Sequence, residues 1–93
     1  MFFTVLQLTR TLALELAEKG VTVNCICPGP FGTEINRPVM ENADATAKLL
    51  GSVPMNRWGR MDEIKTSVLF LASQASSYVT GTALAVDGGW TAR

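Results

Sequence analysis

The residues best placed to do chemistry stand in one run, Val21-Thr-Val-Asn-Cys-Ile-Cys-Pro-Gly-Pro-Phe-Gly-Thr33. An apolar strand stops at Pro28-Gly29 and opens into a loop that ends at Thr33. Pro28 ends the strand and gives up a backbone donor, while Gly29 lets the main chain approach a ring closely. Thr33 adds a hydroxyl that can donate and accept. In open parallel α/β sheets, ligands bind just beyond the carboxyl ends of the strands, so this loop is an expected contact surface. The competing reading is a strand-ending turn with no ligand.

Little else in the chain is reactive. It has no histidine, which removes the commonest general base and the commonest metal ligand. Cys25 and Cys27 lie two apart on the expected strand, so they face the same side. A metal there would lack further Cys or His ligands, and a bridge so short would strain the strand. They are expected to be small apolar core residues in a reducing compartment, with no metal bound. Asn24 is polar in an apolar strand, either supporting the Pro-Gly loop or bonding to neighbouring backbone, the second being favoured. Arg57 is expected to pair with a carboxylate such as Asp87 rather than to bind an anion. Trp90 is either an interface anchor or a residue tucked over the last strand.

The elements that must position these groups follow from periodicity. Thr4 to Lys19 reads as a helix stopped by Gly20. Val5, Leu8, Leu12 and Leu16 form one apolar stripe on it, and Leu6, Ala13 and Ala17 another. A surface helix needs one stripe, so this helix is built for cover on two sides. Val21 to Cys27 alternates as a strand, with Ile26 making its second face partly apolar. Pro38 to Leu50 reads as helical, with an interruption at Asn42 to Asp44. A third helix runs from Met61 to Ser73, with Asp62 and Glu63 opposing its positive end. A turn over Ser76 to Gly81 leads to a last strand, Thr82 to Val86. Strand, helices, strand is a right-handed crossover between parallel strands.

Ninety-three residues suit one domain at most. With 47% hydrophobic and 17% charged residues the chain is globular in type rather than disordered. Eight basic and eight acidic residues cancel and are scattered, leaving no basic stripe for nucleic acid. No basic region precedes Met1-Phe2-Phe3, and Gln7 and Arg10 break the apolar run, so a signal peptide is not expected. No stretch approaches a membrane span.

The order and spacing of several short motifs then resemble the short-chain dehydrogenase/reductase family from about Val5 to Trp90. They are Leu8-Thr-Arg-Thr-Leu-Ala-Leu-Glu15, the Pro28-Gly-x-x-x-Thr33 run, and Pro54, Arg57, Gly59, Glu63 and Ile64 at the family's spacing. Val68-Leu-Phe-Leu-Ala-Ser73, Tyr78-Val-Thr-Gly81 and Val86-Asp-Gly-Gly89 complete the set. The resemblance implies an α/β fold, the C-terminal portion of a Rossmann-type doubly wound parallel sheet. Two strands and about three helices would form a single partial domain over residues 1–93. It also implies that Pro28, Gly29, Phe31 and Thr33 serve the nicotinamide end of NAD or NADP. Phe31 would act through its backbone amide, and Phe31 to Gly51 would form a substrate lid.

The same resemblance defines what is missing. The family's Tyr-x-x-x-Lys motif would put its lysine at Phe2 and its tyrosine before Met1. Tyr78 has Thr82 four residues on, so it forms no substitute dyad. The glycines do not match the spacing of a phosphate-cradling loop. No catalytic residue is therefore expected in the chain, and no cofactor bound tightly by it alone. The expected function is that of a C-terminal segment of an NAD(P)-dependent oxidoreductase acting on a carbonyl or alcohol. The sequence is most similar to members near the 3-oxoacyl-carrier-protein reductases and sugar-alcohol dehydrogenases. Two alternatives stand beside it. One is a non-catalytic protein that docks onto intact relatives through its first helix and last strand, as a homo- or hetero-oligomer; the other is a truncated product without a selected role. A cytoplasmic location is expected, with neither nucleic acid nor membrane as partner.

Overall fold

The computed structural model describes residues 2–93, with the backbone alone at Phe2. Among the described residues there are four α-helices, α1 (Phe2–Leu16), α2 (Arg37–Met40), α3 (Ala43–Leu50) and α4 (Met61–Ala72). Two short strands, β1 (Cys25–Pro28) and β2 (Ala83–Val86), form one sheet. The N–H of Cys25 donates to Thr82 O and that of Gly29 to Val86 O, both at 3.0 Å. The constant offset makes the pair parallel, as expected of a crossover unit. The chain divides into one unit of Met1–Cys27 and Ser67–Leu84 and another of Pro28–Thr66 and Ala85–Arg93.

In the first unit, α1 tightens into a 3-10 turn at Ala17–Lys19 and stops at Gly20, whose φ of 73° is left-handed. Its N–H donates to Ala17 O at 3.1 Å, the helix stop expected there. One stripe of α1 is turned inward, with Ala13 buried. The other is only partly covered, with Leu12 and Leu16 half-buried but Val5 45% and Leu8 57% exposed. Thr9 is buried too, and its hydroxyl donates to Val5 O at 2.8 Å. Ser76, 1% exposed, donates to the carbonyls of Leu71 and Ser73 and closes the turn after α4.

The first strand is shorter than the sequence pattern predicts, beginning at Cys25 rather than Val21. The residues before it bond to a loop instead of a ladder. Val23 N–H donates to the Thr80 hydroxyl at 3.0 Å, and Gly81 N–H donates to Val23 O at 2.8 Å. Asn24 fastens the same loop with both ends of its amide, Nδ2 donating to Val79 O and Oδ1 accepting from Thr82 N–H. Of the two readings of Asn24, the bond to backbone is the one observed. Cys25 and Cys27 are half-buried rather than core residues, and neither is in a disulfide. The last strand likewise starts one residue late, at Ala83.

The second unit holds the expected helical stretch, but its interruption falls at Glu41–Asn42 rather than Asn42 to Asp44, since Ala43 and Asp44 already belong to α3. Pro38 stands in the first turn of α2, where its missing N–H costs nothing. Asn42 then caps α3, its Oδ1 accepting from Ala45 N–H at 3.0 Å. Thr46 ties the two helices by donating to Val39 O at 2.7 Å. Leu50 and Val53 are buried with Phe31 in the core of this unit. Among the described residues no helix is long and apolar enough to cross a membrane.

Candidate functional site

The candidate site lies where the strands end, within the second unit. Gly29 is bonded to Val86 O, and its Cα faces the next residue on that strand. A Cβ at Gly29 would lie 2.7 Å from Asp87 Cα and 2.8 Å from Asp87 Cβ. The glycine is thus required by backbone packing against the end of β2. Beyond it the chain turns so that Phe31 is only 8% exposed.

Phe31 forms an isolated parallel bridge with Gly59. Gly59 N–H donates to Pro30 O at 2.9 Å, and Gly32 N–H donates to Gly59 O at 3.0 Å. The aromatic ring lies over the same residue: a Cβ at Gly59 would be 2.5–2.9 Å from three ring carbons. Phe31 O accepts from Thr33 N–H at 2.9 Å and from Asn36 Nδ2 at 2.7 Å. Its own N–H has no acceptor among the described residues. Thr33 precedes a 3-10 turn in an extended conformation, and its hydroxyl makes no capping bond. Pro28 is exposed at the end of β1.

A cleft of about 420 Å³ opens between Pro30-Phe31 and the segment Val86 to Gly89, flanked by Met55 and the Arg57–Glu63 pair. Of the four residues implied for a cofactor, Phe31 lines this cleft. Gly29 supports the loop behind it, and Pro28 and Thr33 stand outside the lining. In the segment expected to act as a lid, Leu50 packs into the body while Met40 is 41% exposed. Tyr78 is fully exposed.

The electrostatics of the cleft correct one expectation. Arg57 pairs with Glu63, not Asp87: Nη1 and Nη2 each meet one carboxylate oxygen at 2.9 Å. This bidentate bond, the Arg60 N–H and the charges of Arg57 and Arg60 hold the Glu63 carboxyl at about 2. The guanidinium is in turn stabilised in its charged form. Asp87 is engaged elsewhere, accepting from the Thr91 hydroxyl at 2.7 Å, Gly89 N–H at 3.0 Å and Thr91 N–H at 3.2 Å. Those bonds, led by the Thr91 hydroxyl, lower its pKa. Arg57 does pair with a carboxylate, as expected, but Asp87, the example offered, is occupied, because its turn, built on Gly88-Gly89, consumes that side chain locally. No group of three or more metal-ligating side chains occurs among the described residues.

This geometry offers the unbonded Phe31 N–H close beyond a strand end, with the Thr33 hydroxyl outside the cleft lining.

A family profile described as enoyl-(acyl carrier protein) reductase matches residues 3–91. A 2-dehydro-3-deoxy-D-gluconate 5-dehydrogenase from Pseudoalteromonas atlantica is 46% identical over 87 residues, 94% of this chain and 34% of that protein. The gluconate 5-dehydrogenase of Burkholderia cenocepacia J2315, solved with NADP and tartrate, superposes with a TM-score of 0.88 at 39% identity. That match covers 96% of this chain and 35% of the other. A 4-hydroxyisoleucine dehydrogenase complexed with NADH gives 0.94 at 27% identity, over 98% of this chain and 37% of the other. The chain therefore spans about a third of the length of the relatives it matches.

Proposed function

Because this chain belongs to the short-chain dehydrogenase/reductase family, we propose that it is the nicotinamide-side segment of an NAD(P)-dependent oxidoreductase acting on a carbonyl or alcohol. A sugar acid or sugar alcohol is the substrate class in view, by analogy with the dehydrogenases it is similar to. The observation that carries this reading is the Phe31 loop, a buried residue with an unpaired N–H at the carboxyl end of a parallel strand.

When bound, the dinucleotide supplies or accepts a hydride. Phe31 would offer its N–H to the carboxamide, and the Thr33 hydroxyl would reach the same amide or a neighbouring phosphate. Gly29, wedged on Asp87, would keep the loop at a fixed height above the sheet. The segment from Phe31 to Gly51 would exclude water from the reacting centre. Proton transfer is left to residues outside this set, because these 93 residues carry no Tyr-x-x-x-Lys. The chain alone is therefore proposed to be inactive and to bind no dinucleotide tightly.

The test joins the front two-thirds of the Pseudoalteromonas relative to Val5 and follows NAD(P)H at a panel of sugar acids and alcohols. Turnover by the fusion, absent from the 93-residue chain, is expected. Thr33→Ala should cost roughly 1–3 kcal/mol in transition-state placement. Saturable NADPH oxidation by the pure 93-residue chain, or equal kinetics for the fusion and its Thr33→Ala variant, would refute the reading.

A second reading has its own observation. Phe3, Val5, Leu8 and Leu14 are all exposed on α1, at 79, 45, 57 and 81%. A chain with so much open apolar helix suits a protein that docks onto intact relatives without catalysing anything.

A further inference from the structure

The group that fixes the Phe31 loop can be named, and this step rests on the role proposed for that loop. Phe31 is held on both flanks by Gly59, through Pro30 O at 2.9 Å and Gly32 N–H at 3.0 Å. Gly59 in turn sits inside a span, Arg57 to Arg60, whose two ends converge on one carboxylate. Glu63 Oε1 accepts from Arg57 Nη1 and from Arg60 N–H, both at 2.9 Å, while Oε2 accepts from Arg57 Nη2 at 2.9 Å. Arg57 Nη1 also donates to Trp58 O at 3.0 Å, so the guanidinium binds the span as well as the carboxylate.

We propose that Glu63 is a positioning residue for the Phe31 loop, drawing both ends of the 57–60 span together so that Gly59 sets where the Phe31 main chain lies. The chemistry demands a carboxylate. Two oxygens are needed for the forked guanidinium, and a lone pair must remain for the Arg60 amide. Glutamine keeps one acceptor oxygen and offers hydrogens where the second guanidinium nitrogen also offers one. Side chains of Arg57 and Glu63 are 41% and 29% exposed, and exposed pairs add little to global stability. The effect of the pair is accordingly local, on the order of the loop it holds.

Amide hydrogen exchange on the 93-residue chain tests this, with Cys25, bonded to Thr82 O, as the internal reference. In Glu63→Ala, exchange at Gly59 and Gly32 should accelerate about tenfold relative to Cys25, with Glu63→Gln between it and the wild type. Arg57→Lys, which keeps the charge but loses the fork, should resemble Glu63→Gln. Unchanged exchange at Gly59 and Gly32, or equal acceleration at all three amides, would overturn the proposal. Should Glu63→Ala fail to fold, the Gln and Lys variants decide alone. A second measurement separates this from the function it rests on. In the fusion with a relative's front portion, Glu63→Gln should weaken NADP binding several-fold while leaving ADP-ribose, which lacks the nicotinamide, unaffected. Loosened exchange with equal effects on both ligands would sustain the positioning role and overturn the nicotinamide assignment of the loop.

Discussion

Gly29 and Asp87 meet backbone against backbone, so closely that a methyl group on the glycine would lie 2.7 Å from the aspartate Cα. The end of β1 and the turn after β2 are thereby one packing unit. Neither atom that Gly29 would strike is the free tip of a flexible side chain, so the clash cannot be relieved cheaply.

Gly29→Ala is therefore expected to destabilise by about 1–3 kcal/mol, the range for overpacking a close contact. The strain should appear at the strand ends, with the Gly29-equivalent amide losing protection before Cys25. A urea midpoint equal to wild type would mean that the strands part here without cost.

Gly59 and Phe31 provide a pair that can be tested by a cycle. Gly59→Ala places a Cβ within 2.5 Å of the ring, and the cost, again about 1–3 kcal/mol, should shrink sharply in a Phe31→Ala background. Coupling of at least about 0.5 kcal/mol is expected for residues in direct contact. Strict additivity would show that the ring is free to turn away.

The acid limb of stability should report Glu63. The forked bond from Arg57 holds the Glu63 carboxyl at about 2, below the ordinary glutamate value of 4.5. Because the pair is exposed its contribution to stability is small, but it is present above pH 4.5 and lost as pH falls through about 2. Asp87, also lowered by its bonds to Thr91 and Gly89, adds loss in the same direction. Between pH 5 and 2, Glu63→Gln should lose less stability than the wild type. Denaturation curves whose pH dependence is identical would remove Glu63 from the acid transition.

The open stripe of α1 makes a prediction about association. With Leu8 57% exposed and Leu12 half-buried, the chain on its own should self-associate. Leu8→Glu together with Leu12→Glu should change that association sharply. A wild-type chain sedimenting as a monomer at micromolar concentration, with cooperative unfolding, would show that these 93 residues close their own core.

What could be read from the sequence was local. Gly20 stops α1 because a left-handed cap needs glycine, and Asn42 starts α3 because its side chain reaches an amide three residues on. Pro28 marks the strand end for an equally local reason, whereas Gly29 is required there by its distant partner Asp87. The failures involve distant partners. Val21 and Val23 alternate as a strand should, yet Val23 bonds to Thr80 and Gly81, which no periodicity near residue 21 reveals. Arg57 had several carboxylates to choose from, and helix α4 presents Glu63 at the span's mouth. Gly59 was matched only by spacing; its contact with the Phe31 ring carries no signature in sequence.

The two-ended amide of Asn24 bears on the order of events in folding. Its partners, Val79 and Thr82, lie 55 and 58 residues downstream, so β1 leaves a ribosome long before anything can hold it. Contacts this distant close late, after the intervening helices have formed, because the loop entropy must be met before the bonds reward it. Until Thr82 arrives, the strand's apolar run travels with its donors unmatched, and that interval is when a chaperone or a neighbouring nascent chain would find it.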